Sequence, residues 1–203
     1  MKIFCVGRNY ANHAKELGNQ VPTEPIIFSK YSTALLKDNK DFYYPNFSQN
    51  IHYELELVYK ICKNGKYIDE KFAQNYYNEV TLGIDFTARD LQQKCAQNGK
   101  PWEIGKAFDN SAPIGKFVPL DSLATPEEIT FSLRKNGEVV QQGNSMDMIF
   151  TIDRLISYIS TFFTLQTGDL IFTGTPEGVG AVSIGDTLEA YLGDTLLLKT
   201  AIK

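Results

Sequence analysis

Glu54 and Glu56 stand two residues apart in "IHYELELVYKI", a stretch otherwise suited to burial. Alternate side chains of a β-strand share a face, so a strand from Ile51 to Ile61 carries Tyr53, Leu55, Leu57 and Tyr59 on one side. His52, Glu54, Glu56 and Val58 occupy the other. The two carboxylates are then about 6–7 Å apart along the strand. Either they line a solvated edge, or they hold a cation between them, since buried like charges repel without one. Asp85 is the best further oxygen ligand, at the end of the strand Val80–Ile84 and just before a helix start. Three carboxylates without sulfur favour a hard ion, Mg²⁺ or Mn²⁺. His52 on the same face keeps a His-Glu-Glu zinc site open, but with two histidines in the chain a multi-histidine centre is excluded.

The other histidine, His13, has Glu16 three residues on in a short predicted helix, so the two side chains share a face. A carboxylate beside an imidazole fixes its tautomer and raises its basicity, as a general base requires; a surface ion pair has the same spacing. Lys106, in "WEIGKAFD", reads as a charge partner or as a solvated residue. The loop "TGTPEGVG", Thr173–Gly180, can bring backbone N–H groups to an anion but matches no nucleotide-binding pattern.

The elements that must position these groups follow from periodicity and turn residues. Strands are expected at Lys2–Val6, Ile26–Lys30, Ile51–Ile61 and Val80–Ile84, with a helix in "NYANHAKELG" capped by Asn9 and closed by Gly18. Asp69–Asn78 reads as a helical crossover, and Thr87 as the start of a helix with Asp90 as its acidic partner. Asn136-Gly137 predicts a type I′ hairpin between Ile129–Lys135 and Glu138–Gln142. Thr151–Phe163 carries the apolar stripe Ile152, Leu155, Ile156, Ile159, Phe162 and Phe163 of an amphipathic helix. Three short strands then alternate with turns at Gly168-Asp169, Gly185-Asp186 and Gly193-Asp194. The expectation is a β-rich α+β protein, a single domain over residues 1–203.

A net charge of −4 and a pI near 5.3 argue against a nucleic-acid partner, and no polybasic or long apolar run suggests a membrane. Cys5, Cys62 and Cys95 are an odd, scattered set that fits reducing conditions, and the N-terminal apolar run is too short for a signal peptide. These features together predict a cytoplasmic protein.

In chain order, "VGRNYANHAKELG", "HYELELVYKI", "GIDFTARDLQ", "GKAFDNSAPIG", "MIFTIDRLISYIS" and "GDLIFTGTPEGVG" resemble the fumarylacetoacetate hydrolase family, and most of all its short acylpyruvate hydrolase branch. The resemblance runs from Ile3 to the C-terminus, with no room expected for the extra N-terminal domain of longer members. It implies a mixed β-sandwich roll like that family's C-terminal domain and, usually, a homodimer. It implies that Glu54, Glu56 and Asp85 bind Mg²⁺ or Mn²⁺, and that His13 and Glu16 are a catalytic dyad on a mobile helix. Lys106 would face the substrate, a small 2-oxo acid, with Arg89, Gln92, Lys30 and Thr175 also matching positions near it. Tyr31 stands where related sequences often carry a proline after the lysine.

The implied chemistry is hydrolysis of a carbon–carbon bond in acylpyruvates or related 2,4-dioxo acids, giving pyruvate and a carboxylic acid. Oxaloacetate decarboxylation and 2-hydroxyhepta-2,4-diene-1,7-dioate isomerisation are alternatives on the same site. A binding module with a structural metal would need the three carboxylates but neither the His13–Glu16 dyad nor Lys106.

Overall fold

The computed structural model describes residues 1–16 and 20–203. The protein is β-rich, with a six-stranded mixed sheet at its centre. Its strands run in the order Ile26–Lys30, Ile3–Gly7, Leu170–Phe172, Leu55–Ile61, Tyr77–Ile84 and Val118–Pro119. Ile3–Gly7 and Leu170–Phe172 pair in parallel, and the other neighbours are antiparallel. A four-stranded antiparallel sheet is built from Glu138–Asn144, Thr130–Lys135, Thr187–Leu192 and Thr195–Ala201. Leu55, Leu57, Leu82 and Ile84 of the large sheet share one apolar core with Leu133, Leu188, Ala190 and Leu198 of the second. The opposite face of the large sheet is buried too, where Val58 packs with Ile3, Cys5, Leu170 and Phe172. Among the described residues no helix is long and apolar enough to cross a membrane.

The strand carrying the two glutamates therefore lies inside the sheet and is covered on both faces, which rules out the solvated-edge reading. It is also interrupted. Ile51–Tyr53 pairs with Thr87–Ala88 and Gly180–Ala181 in a separate three-stranded sheet, and pairing in the large sheet begins at Leu55. Glu54 occupies the break. Glu56 pairs with Gly83, where an added Cβ would come within 2.6 Å of the Phe172 ring. The missing side chain there makes room for Phe172 beside the glutamate.

Several expected elements shift for identifiable reasons. Thr87 does not cap a helix; Thr87–Ala88 is a short strand and the helix runs Arg89–Gln97. Asp90 instead accepts from Ser48 Oγ (2.7 Å) and the Gln49 N–H, tying this helix to the preceding loop. The crossover is a 3₁₀ run, Glu70–Tyr76, and the next strand starts at Tyr77 because Tyr77 completes the ladder opposite Ile61. The hairpin forms as expected, with positive φ at both Asn136 and Gly137.

The long helix spans Ile152–Phe162, with Thr151 Oγ1 accepting from the Arg154 N–H. Ile152, Leu155, Ile156 and Ile159 are buried, but Phe162 and Phe163 are exposed, against expectation. Phe163 is already extended and off the helical phase, and Phe162 is the last residue of the helix. Ser160 is buried instead and accepts the Ile68 N–H at 2.9 Å.

In the first helix, Ala11–Glu16, Asn9 does not serve as a side-chain cap. Its amide donates to the carbonyls of Phe150 and Thr173 and accepts the Phe150 N–H. The expected closing Gly18, and Leu17 before it, lie outside the described residues. Tyr31 has φ −78°, close to what proline imposes, so its replacement of proline does not redirect the chain.

Candidate metal centre and its cavity

The ladder that pairs Leu55 with Ile84 brings the next residues, Glu54 and Asp85, side by side, and the Asp85 N–H donates to the Glu54 carbonyl at 2.8 Å. One carboxylate oxygen from each of Glu54, Glu56 and Asp85 lies within 4.8 Å of the others, and all three residues are buried. Among the described residues this is the one group of three or more such side chains gathered closely enough to hold a metal.

Three side-chain cations answer these charges in part. Lys106 Nζ donates to Glu54 Oε2 (2.7 Å), Asp85 Oδ2 (2.8 Å) and Thr87 Oγ1 (2.7 Å). Arg89 pairs with Glu54 and donates to Gln92 Oε1 at 2.6 Å. Lys30 Nζ lies 2.8 Å from Asp85 Oδ1, but without hydrogen-bond geometry; its protons go to Ser111 and to backbone carbonyls. Among the described residues Glu56 has no such partner and accepts only the Gly174 N–H, at 2.7 Å.

The proton affinities diverge accordingly. Burial alone would raise Glu54, but Lys106 and Arg89 hold it well below the ordinary carboxylate range. Burial, then the charges of Asp85 and Glu54, push Glu56 well above that range. Burial opposes the charge on Lys106, yet Asp85 and Glu54 keep its affinity for the proton above that of a free lysine.

The donor set suits a hard divalent ion. All three candidate ligands are carboxylates, the buried Asp85 Oδ1 lacks a hydrogen-bond donor, and among the described residues Glu56 forms no ion pair. His52 is not part of it. The break at Glu54 leaves His52 in the three-stranded sheet, where its Nε2 bonds Asn50 Oδ1 at 2.9 Å, and the zinc alternative falls with that.

These groups open into a cavity of about 410 Å³, which His13, Arg89, Gln92, Lys106 and Thr175 also line. Phe28 and Trp102 form an apolar wall. Lys30 is not in that lining; it lies beneath Asp85, fully enclosed. His13 Nδ1 is 3.1 Å from Glu16 Oε2, and the Glu16 carboxylate accepts the Gly178 N–H. The glycine-rich loop thus does bind anions with its backbone, and the anions are the protein's own, Glu56 at Gly174 and Glu16 at Gly178. Gly174 has φ +97°, and a Cβ there would meet Asn9 Cβ at 2.7 Å, so only glycine fits this approach.

Two site residues escaped the sequence reading. Thr87 has the local signature of a helix start, yet its hydroxyl accepts from Lys106. Gln141, from the second sheet, accepts the Leu55 N–H at 2.9 Å and donates to Thr175 Oγ1 and the Pro176 carbonyl. It joins the strand break to the glycine-rich loop, and nothing in its own stretch of sequence signals that.

The chain is similar to known proteins over nearly its whole length. The family model described as fumarylacetoacetate (FAA) hydrolase C-terminal matches residues 2–202. "Oxaloacetate tautomerase FAHD1, mitochondrial" of Mus musculus is 40% identical over 201 residues, 99% of this chain and 91% of the relative. "Oxaloacetate decarboxylase, mitochondrial" of Dictyostelium discoideum is 43% identical over 189 residues, 93% of this chain and 87% of the relative. Among solved structures, fumarylpyruvate hydrolase from Pseudomonas aeruginosa in complex with Mn²⁺ and pyruvate superposes with a TM-score of 0.94. It is 40% identical and covers 100% of this chain and 89% of its own. The mitochondrial names of these curated relatives overturn the cytoplasmic expectation. Cys5, Cys62 and Cys95 are free and carry no cellular address.

Proposed function

The chain belongs to the fumarylacetoacetate hydrolase family, and from that premise we propose that it is a Mg²⁺- or Mn²⁺-dependent hydrolase that cleaves a carbon–carbon bond in acylpyruvates or related 2,4-dioxo acids. One observation carries the reading: three buried carboxylates converge to within 4.8 Å in a cavity also lined by His13, whose Nδ1 pairs with Glu16. Glu54, Glu56 and Asp85 would hold a divalent ion, which would supply Lewis-acid stabilisation of negative charge on the 2-oxo oxygen.

Lys106, kept protonated by Glu54 and Asp85, adds a fixed positive charge beside the same oxygen. Arg89 and Gln92, joined to each other, and Thr175, held by Gln141, present donors to the substrate's carboxylate end. Glu16, anchored by Gly178, orients the His13 imidazole, whose free nitrogen takes a proton from water as that water attacks the distal acyl carbonyl. The bond between that carbonyl carbon and the pyruvate methylene breaks, its electron pair staying on the pyruvate fragment, which then takes a proton. The enzyme acts as a homodimer in this proposal, as the family resemblance implies.

The test is pyruvate release from acetylpyruvate by purified protein, with and without EDTA. Release that EDTA stops and Mg²⁺ or Mn²⁺ restores supports the proposal; release indifferent to chelation refutes it. The names of the 40–43% identical relatives favour a second reading, tautomerisation or decarboxylation of oxaloacetate. Neither needs an attacking water, so activity on oxaloacetate alone, with none on acylpyruvates, selects it.

A further inference from the structure

Arg8 differs from every other cation around this cavity. Lys106 is committed to two carboxylates and a hydroxyl, Arg89 to Glu54 and Gln92, and Lys30 is buried against Asp85 and Ser111. Arg8 lines the same 410 Å³ cavity and, among the described residues, makes no ion pair. It is also held in the left-handed backbone region, φ +59°, which is unfavourable for any residue with a Cβ.

The flanking chain enforces that conformation. Asn9 is fully buried and pinned by Phe150 and Thr173, and Tyr10 bridges to Met148. A strained backbone at a cavity-lining arginine that, among the described residues, forms no ion pair is what a recognition role would require.

The charge count points the same way. Lys30, Lys106, Arg89 and Arg8 balance Glu16, Glu54, Glu56 and Asp85, so a divalent ion would leave the site with two uncompensated positive charges. A monoanionic 2-oxo acid neutralises one of them; a dianionic one neutralises both.

We infer that Arg8 receives a second carboxylate at the far end of the substrate and makes the site selective for 2-oxo dicarboxylic acids over 2-oxo monocarboxylic acids. This rests on the 2-oxo-acid reading above. A guanidinium binds a carboxylate through paired, charge-assisted hydrogen bonds that a methyl group cannot replace.

The matched probes are 2-oxoglutarate and 2-oxovalerate, which differ only in carrying a carboxylate or a methyl group at the last carbon. Trp102 is the chain's single tryptophan and lines the cavity, so its fluorescence reports binding directly in the Mn²⁺-loaded protein. The expected result is at least tenfold tighter binding of 2-oxoglutarate by the unaltered protein. Arg8→Asn, chosen because asparagine tolerates the left-handed backbone, should bring the two affinities within about twofold, a collapse of the tenfold gap that losing one charged hydrogen bond would produce. Arg8→Lys should retain most of the preference. Equal binding of both probes by the unaltered protein, or a preference that survives in Arg8→Asn, overturns the role of Arg8 while leaving the 2-oxo-acid reading intact. If neither probe binds the Mn²⁺-loaded protein, the 2-oxo-acid reading itself fails and this inference with it.

Discussion

Replacing Lys106 with methionine separates the work of its charge from that of its stem. The ammonium serves Glu54 and Asp85 at 2.7 and 2.8 Å, and all three residues are buried. Removing one partner of a buried ion pair costs about 3–5 kcal/mol, because the remaining charge is left uncompensated. Here each carboxylate keeps a second cation, Arg89 for Glu54 and Lys30 for Asp85, so the lower end, about 3 kcal/mol, applies. For a chain of this length, 1 kcal/mol moves Tm by about 2–4 °C, which gives a fall of roughly 6–12 °C. The fall should appear in scanning calorimetry of the metal-free protein in EDTA. A divalent ion then has more negative charge to neutralise in the variant, so Mn²⁺ should raise its Tm by more than it raises that of the unaltered protein. Acylpyruvate cleavage should stay low even with metal, since the fixed charge beside the 2-oxo oxygen is gone. A metal-free Tm within about 2 °C of the unaltered protein, well short of the shift expected, would show that Lys106 does not neutralise this cluster. So would equal stabilisation of both proteins by Mn²⁺.

Glu56→Gln should behave differently, because among the described residues Glu56 pairs with no side-chain cation, and an amide oxygen can still accept the Gly174 N–H. Metal affinity by calorimetric titration should fall more than tenfold while the metal-free Tm holds steady or rises; unchanged affinity would remove Glu56 from the metal site. His13→Ala should keep metal affinity and lose acylpyruvate cleavage by roughly 10²–10⁴-fold, the worth of a positioned general base. Any oxaloacetate decarboxylation should suffer much less, and an equal loss in both would show that His13 does not activate water. Burial works against ionising Asp90, but donors from Ser48, Gln49 and Leu91 hold its pKa below the ordinary carboxylate value. Its stabilisation is therefore complete above the unfolded pKa of about 3.9 and is lost as pH falls through the lower folded value. Asp90→Asn should accordingly lower Tm at pH 7, with the difference shrinking in acid; a difference independent of pH would exclude the charge as its cause.

Much of this protein follows from local sequence. Asn136-Gly137 dictates its hairpin because both positions need positive φ, and the spacing of Ile152, Leu155, Ile156 and Ile159 dictates a helix and its buried face. The carboxylates of Glu54 and Glu56 demand a positive partner wherever their strand is buried, and three residues of helix bring Glu16 to His13. These are short-range consequences of bond geometry and charge, and they hold whatever the rest of the chain does.

Long-range pairing decided the remainder. Glu54 sits at a break between two sheets, and that break removes His52 from the cluster while admitting Asp85 across the ladder. Lys106 supplies the positive partner from 52 residues away, and Lys30 neutralises Asp85 from beneath rather than facing the cavity. Gln141 reaches in from the other sheet, and among the described residues Arg8 remains without an ion pair. None of these is legible locally, because a charge or an amide acquires its partner only when non-adjacent strands pack, and burial, which sets the strength of each interaction, belongs to the fold as a whole.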